Sequence, residues 1–437
     1  MSGEPSVTDK FETTPDWQIV AVVMGIIYLA YIVSGFLIGF PLRGQINAIG
    51  NLTFYVAVFA MLSLALNLHW GYTGLFNIGV VAFMAIGVYT MAVLVKQPLS
   101  QDPTAQIGGL GLPIPVGMAA GVVVATVFGL IVSLPALRLR ADYLAIVTIA
   151  FSEIMRFTFL ETSIKTFTLF GTETGLGGGS GLVFNVPAPI DWLTSALYVR
   201  GPYLDFVGWF GTTLGIGNPK AVVDNLVYSI ILVLVVVAFY WLLQRIGRSP
   251  FGRVLKAIRE DEDVARALGK DTDWFKMQSF MVGCGLMGLV GVLWMYDQGA
   301  INPNNFRPRL TFYAWIALII GGAGSNTGSV LGGAIFAALL FQGPVYAKNL
   351  VTTAVGSGSA PQTFAGAVAP LGNLDPGPFA YYVLGNINQL QIVFMGVVLI
   401  WLMHNRPEGL LGHRSEEAAA VDLTDRPVVS DGGEVDE

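Results

Sequence analysis

The chain contains apolar runs too long for a water-soluble fold to bury one by one. Residues 17–38, 52–69, 112–134, 225–243 and 277–296 contain no Asp, Glu, Lys or Arg, and about 18 consecutive apolar residues already match the thickness of a bilayer core. Five further segments, 73–95, 143–160, 311–323, 328–346 and 386–403, bring the candidates to ten. Residues 311–323 are too short for a straight crossing. The glycine-rich GGAGSNTG separates them from the next run, so the pair reads as two short spans or as a re-entrant hairpin. The runs are continuously apolar without period-two alternation, which argues against a transmembrane barrel. Charged residues make up 12% of the chain, about half the usual share. The expected fold is an all-α polytopic protein of the cell membrane with about 8–10 transmembrane helices.

Lysine and arginine set the expected orientation. With both ends cytoplasmic, the inner segments hold Lys10, Arg138, Arg140, eight basic residues in 244–276 and three in the tail. The outer segments hold Arg43, Lys96, Lys165, Arg200, Lys220, Arg307, Arg309 and Lys348. The bias predicts N-in, C-in. The chain then divides into a cytoplasmic segment 1–16, a transmembrane domain 17–403 and a cytoplasmic tail 404–437. The tail carries nine acidic residues and reads as disordered. The start, MSGEPSVTDKFETTPDW, lacks a basic leader region, so the first apolar run reads as retained. Residues 161–224 and 347–385, rich in Gly, Pro and aromatics, read as folded outer loops, and 244–276 as the cytoplasmic loop.

Enzymatic apparatus is not evident. Cys284 is the sole cysteine, and His69, His404 and His413 are scattered, so neither a disulfide nor a thiol or histidine metal centre is expected. The phosphate-binding pattern G-x4-G-K-[ST] is missing, and GLGGGSG lacks its lysine. No basic surface interleaved with aromatics points to nucleic acid. Lipid is the one environment that composition demands.

The stretch SPFGRVLKAIREDEDVARALGKDTDWFK, residues 249–276, concentrates charge between two apolar runs. Ser249 and Pro250 read as an N-cap and first helical residue, and Gly269 as a helix stop. Val254, Ile258, Ala265 and Leu268 fall on one helical stripe, interrupted by Asp261. Arg259, Glu260, Glu262, Asp263 and Arg266 carry both signs around it. The block reads as a short amphipathic helix, either lying on the bilayer or inserted into a groove of a soluble partner. The mixed charge favours the protein groove.

Several segments in order resemble LivM-type permeases of branched-chain amino-acid ABC importers. They are LNLHWGYTGLFNIGVVAFMAIGVYT (66–90), LRLRADYLAIVTIAFSEIMR (137–156), TGLGGGSGL (174–182), GRVLKAIREDEDVARALG followed by KMQSFMVGCGLMGLVGVLW, IALIIGGAGSNTGSVLGGAIF (316–336) and RPEGLLG (406–412). The resemblance covers about residues 50–412. It implies that Gly252, Arg253, Ala257, Ile258, Arg259, Glu260, Ala265 and Gly269 form a coupling helix that seats in an ATPase. The broader importer pattern opens on Glu-Ala-Ala with a glycine four residues on. Here that register reads Asp263, Val264, Ala265 and Gly269, and the downstream Leu-Pro is missing. The resemblance further implies a second, LivH-type permease, two ABC ATPase subunits that hold ATP and Mg, and an extracytoplasmic solute-binding protein. The cargo would be branched-chain or related amino acids, while close relatives carry urea or short amides. The chain itself would bear no cofactor.

Two glycine clusters lie inside the apolar region. GYTGLFNIG supplies Gly71, Thr73, Gly74, Asn77 and Gly79, and the second cluster supplies Gly321, Gly322 and Gly324. Small residues serve close helix packing. A broken helix lining the translocation path is the alternative. Glu153 and Arg156, three residues apart in one run, read as an intramembrane ion pair. Trp70, Tyr72, Tyr143 and Trp315 read as interfacial anchors. An ion-coupled secondary transporter of a small solute is the competing function, and Glu153 is its one candidate coupling group.

Overall fold

Each of the ten apolar runs carries a helix in the computed structural model, which describes residues 15–99, 107–136, 141–184, 186–355, 360–373 and 375–411. Helix α1 (Asp16–Ile38) turns back into α2 (Leu42–Leu66), which runs on through a π-helical stretch, Asn67–Tyr72. Irregular residues 73–79 lead to α3 (Val80–Val95), α4 (Ile114–Ala136) and α5 (Ala141–Leu160). A long connection then holds the hairpin β1 (Phe167–Leu169) and β2 (Thr172–Thr174), β3 (Leu182–Val183), α6 (Pro189–Ala196) and α7 (Arg200–Leu214). Helix α8 (Pro219–Arg248) enters the charged block, made of α9 (Pro250–Glu260) and α10 (Glu262–Ala267), and α11 (Thr272–Gln298) leaves it. Strand β4 (Ala300–Ile301) pairs antiparallel with β3, Leu182 opposite Ile301. Helices α12 (Pro308–Gly321) and α13 (Asn326–Ile335) form a hairpin, and the second arm continues through π-helical Phe336–Gln342 into α14 (Gly343–Val355). Three helices follow, α15 (Phe364–Val368), α16 (Gly377–Gly385) and α17 (Ile387–Asn405).

Among the described residues, seven helices are long and apolar enough to cross a membrane, or eight if the bent pair α16–α17 counts as one span. Helices α3 and α12 are shorter, at 16 and 14 residues, or roughly 24 and 21 Å. Each abuts irregular chain, residues 73–79 before α3 and 322–325 after α12. Seven spans with almost no sheet make this an all-α, multi-pass membrane protein. The segment 326–353 is by itself long enough to cross, whereas α12 before it is not.

The helices extend into segments that the sequence reading gave to loops. Helix α2 starts at Leu42, α8 at Pro219, and α14 runs to Val355. Their first or last turns are polar, so an apolar-run criterion stops short of them. At the start of α8, Lys220 lies 2.6 Å from Asp224 and 3.0 Å from Asp191 of α6, which ties the long connection to the span. The N-terminal residues 1–14 and most of the acidic tail, 412–437, lie outside the described residues.

Glycine sets the packing at the centre. The best windows of α2 with its π extension and of α11 are each 78% buried, against 17% for α1. A Cβ on Gly87 of α3 would stand 2.6 Å from the Gly288 carbonyl of α11, and one on Gly333 of α13 would stand 2.5 Å from the Ala60 nitrogen of α2. Without a hydrophobic drive between helices in lipid, such backbone approach supplies the dispersion contact that holds them. Thus α2, α3, α11, α12 and α13 form the inner bundle, with α1, α4 and α8 outside it.

Candidate functional site

The charged block folds into two short helices instead of one. Ser249 Oγ accepts from the Gly252 nitrogen at 3.2 Å, which caps α9 behind Pro250. At Asp261 the backbone swings to the extended region (φ −157°, ψ 108°), and its Oδ1 accepts from the Val264 nitrogen at 3.0 Å, starting α10. Asp261 therefore ends one helix and caps the next. Gly269 takes a left-handed φ of +77°, and Asp271 caps α11 through the Trp274 nitrogen at 3.1 Å. Glu262 gathers the far side of the block, 2.7 Å from Lys276 and 3.0 Å from Arg266. Partial burial works to raise the Glu262 pKa, but Lys276, Thr272 and Arg266 outweigh it and hold the carboxyl below its usual value.

The break at Asp261 corrects the expected stripe. Gly252, Leu255, Ile258 and Ala265 face inward and are buried. Val254 is half-buried, while Leu268 is 74% exposed, because α10 starts a new helical phase. Leu255 was missed, although it stands three residues from both Gly252 and Ile258. Of the eight residues expected to meet an ATPase, Arg253, Ala257, Glu260 and Gly269 face outward. Val264, Leu268 and Trp274 form an exposed apolar set beside them.

Arg259 turns the other way. Its Nη1 donates to the Gly71 carbonyl, and its other edge meets Glu260 at 2.6 Å. A Cβ on Gly74 would stand 3.3 Å from Arg259 Cγ, and one on Gly324 would stand 3.2 Å from Nη1. Both glycines have positive φ, +73° and +95°, so the backbone conformation and the approach each favour glycine there. The two glycine clusters, 253 residues apart at Gly71 and Gly324, thus meet around one guanidinium from the charged block.

Behind the arginine the polar groups satisfy one another. Asn67 accepts from the Gly324 nitrogen at 2.7 Å and donates to Asn326 at 3.0 Å. Thr73 and Ser279 hydroxyls are 2.7 Å apart. Asn77, fully buried, accepts from the Gly79 nitrogen at 2.7 Å, and its amide lies 3.2 Å from His69 Nδ1. The His69 ring stacks on Phe280, and its Nε2 lies 3.1 Å from the Phe280 carbonyl. Gly321 packs against Gly328 across the α12–α13 turn. The last described segment closes the group: Leu410 and Leu411 nitrogens donate to the Ile320 and Gly321 carbonyls, and a Cβ on Gly409 would stand 2.5 Å from Gly322 Cα.

The eight path candidates, Gly71, Thr73, Gly74, Asn77, Gly79, Gly321, Gly322 and Gly324, are therefore brought together, but as a filled joint beside the charged block. Of the four expected anchors, Tyr72 and Trp315 are buried, and the Trp315 indole donates to the Asn77 carbonyl at 3.0 Å. Trp70 and Tyr143 stay exposed. Glu153 and Arg156 pair at 2.5 Å, and the guanidinium covers the Phe157 ring. None of the eight lines the cavity of about 800 Å³ that opens elsewhere, between Tyr55, Trp294, Arg307, Arg309, Tyr313 and Phe341. Trp294 stands 14 residues beyond Phe280 on α11, about 21 Å along the axis. The joint and the cavity occupy opposite ends of the bundle.

Residues 48–403 match the family described as branched-chain amino acid transport system / permease component. The chain is 31% identical over 297 residues to the high-affinity branched-chain amino acid transport system permease protein LivM of Escherichia coli (strain K12), covering 66% of this chain and 61% of that protein. It is 25% identical over 314 residues to the probable LivM permease of Methanocaldococcus jannaschii, covering 66% and 79%. A shorter likeness, 35% over 88 residues, covers 20% of this chain and 28% of the E. coli LivH permease protein. The chain thus spans about three fifths of the length of the bacterial LivM proteins it matches. No solved structure matches it.

Proposed function

We propose that this chain, which belongs to the branched-chain amino acid transport system permease family, is the membrane-spanning permease subunit of an ABC importer. Its cargo is a branched-chain or related amino acid, in line with the names of its relatives; urea or a short amide is the alternative cargo. In this reading 17–403 is the permease domain, with both ends cytoplasmic. A second permease of the LivH type completes the membrane pair, and the likeness to LivH supports such pairing. Two ABC ATPase subunits hold ATP and Mg, and an extracytoplasmic protein delivers the solute.

One observation carries the reading. The 249–276 block is fastened to its own bundle through Leu255, Ile258, Ala265 and Arg259, while Arg253, Ala257, Glu260, Val264, Leu268 and Trp274 stay uncovered on the other side. A short capped helix pair with a mixed-charge rim around exposed apolar side chains suits insertion into a protein groove. The joint of Gly71, Gly74 and Gly324 around Arg259 then passes movement of the block to α2, α3 and α12. The test is reconstitution with the two ATPases, the second permease and the binding protein. Glu260→Lys and Leu268→Asp should abolish leucine-stimulated ATP hydrolysis while membrane insertion stays normal. Leucine accumulation by this chain alone, driven by an ion gradient and indifferent to ATP, would overturn the proposal in favour of a secondary transporter.

A further inference from the structure

The cavity at the far end of α11 is built from four elements that are distant in sequence. Tyr55 comes from α2, Trp294 from α11, Tyr313 from α12 and Phe341 from the π-helical segment. Their rings contact one another: Tyr55 and Phe341 centroids are 4.9 Å apart, Tyr55 and Trp294 6.3 Å, and Tyr313 and Phe341 6.0 Å. Trp294 and Tyr313 are almost entirely buried, so this wall is held rigidly by helices. Its volume of about 800 Å³ falls in the ~300–1,000 Å³ range of small-molecule sites.

Two guanidinium groups stand at the rim. Arg307 reaches the side-chain oxygen of Asn304, at 3.3 Å. Arg309 lies over the Tyr313 ring, 5.4 Å from its centroid. Among the described residues, neither has a carboxylate within ion-pair distance. Exposed arginines beside an apolar wall, not ion-paired with the nearby Asp297 that borders Tyr55 and Gln298, offer bidentate binding to an incoming carboxylate. The side-chain carbonyl oxygens of Gln298 and Asn305, also at the cavity, offer acceptors for an ammonium group. Strands β3 and β4 pair beside it and bring the 161–184 connection over to the cavity residue Ala300.

We infer that this cavity is a binding site for a small monocarboxylate with an apolar tail, an aliphatic α-amino acid above all, with Arg307 and Arg309 holding the carboxylate and the aromatic wall taking the side chain. It deepens the proposed function and rests on it for the role of the site, as the first place the solute meets the permease. Binding itself needs neither ATP nor a partner. The cavity lies at the end of α11 opposite the coupling block, where a solute arriving from outside would be received.

The test uses the purified full-length chain in lipid nanodiscs, without ATP or binding protein. Labelled leucine is titrated and displaced by 4-methylpentanoate, which lacks the ammonium, or by 3-methylbutylamine, which lacks the carboxylate. Saturable leucine binding should be displaced by the acid and not by the amine. Arg307→Gln with Arg309→Gln should weaken it by about tenfold or more, the scale of a lost charge-assisted hydrogen bond. An unchanged melting temperature excludes misfolding, and Tyr55→Leu, which keeps the charge, should weaken leucine less than the double arginine variant. The site is overturned if the amine displaces as well as the acid, if the double variant binds like the parent, or if the folded chain binds no leucine. It is also overturned if the arginine variants lose only stimulation by the binding protein, which would assign these cations to a protein contact. ATP-coupled uptake in the full complex without binding to the chain would remove this site alone. Binding without any ATP coupling would remove the importer reading alone.

Discussion

The guanidinium of Arg259 donates to the main-chain carbonyl of Gly71, 188 residues earlier. The arginine stands at a position the resemblance gives to an ATPase contact, yet it reaches into its own subunit. A displacement of α9 must therefore pull on the break after α2 or give up this bond. Through Asn67 and Gly324 the same point is tied to the α12–α13 turn.

Arg259→Ala should uncouple the block from the bundle. A hydrogen bond from a charged donor contributes about 1.5–3 kcal/mol, so leucine moved per ATP hydrolysed should fall by roughly tenfold while both subunits still assemble. Lysine should restore little, because it lacks the planar fork. An unchanged transport-to-hydrolysis ratio would remove Arg259 from the link.

Gly324→Ala should destabilise the joint. The residue sits at φ +95°, and the added carbon would stand 3.2 Å from Arg259 Nη1. Backbone strain of this kind costs on the order of 1–3 kcal/mol, which a lower melting temperature in nanodiscs would register. Gly39 also has positive φ but open space around it, so Gly39→Ala should cost less.

Asn77→Ala separates packing from a solute path. Its amide serves Gly79 and His69 inside the protein. Loss of a buried polar partner costs about 1–3 kcal/mol, so thermal stability should drop while the apparent affinity for leucine in the full complex stays the same. A changed affinity with unchanged stability would restore Asn77 to the path.

Glu262 gives the block a pH signature. Its folded-state pKa is lowered from 4.5. Its contribution to stability is therefore complete above that ordinary value and is lost as pH falls through the lowered one. Melting temperature measured between neutral and acid pH should show this loss, and Glu262→Gln should flatten that part of the profile. Identical profiles for the two proteins would count against the Lys276 pairing.

Much of this was legible in the sequence where the cause is local. Ser249, Pro250 and Gly269 announced their caps because capping needs only neighbours. Asp261 was visible as a flaw in the stripe but not as a second cap, since an apolar phase that resumes looks continuous when written on one wheel. The polar turn at Lys220 escaped because an apolar window excludes the residues that finish a span. The inward turn of Arg259 had no local signal at all. Its distant partners come from two segments, at Gly71–Gly74 and at Gly324, and the walls of the cavity from four elements, so only tertiary packing brings each set together.

The strap formed by Gly409, Leu410 and Leu411 across Ile320–Gly322 has a consequence for synthesis. The α12–α13 turn leaves the ribosome some ninety residues before the segment that locks it. At about 5–20 residues per second that delay is on the order of ten seconds. During it, the Ile320 and Gly321 carbonyls lack their final main-chain donors, and the platform under Arg259 is incomplete. A chain terminated before Gly409 would insert most of its helices yet leave the α12–α13 turn without this strap. Translation order thus makes the closing of this joint one of the last steps in building the bundle.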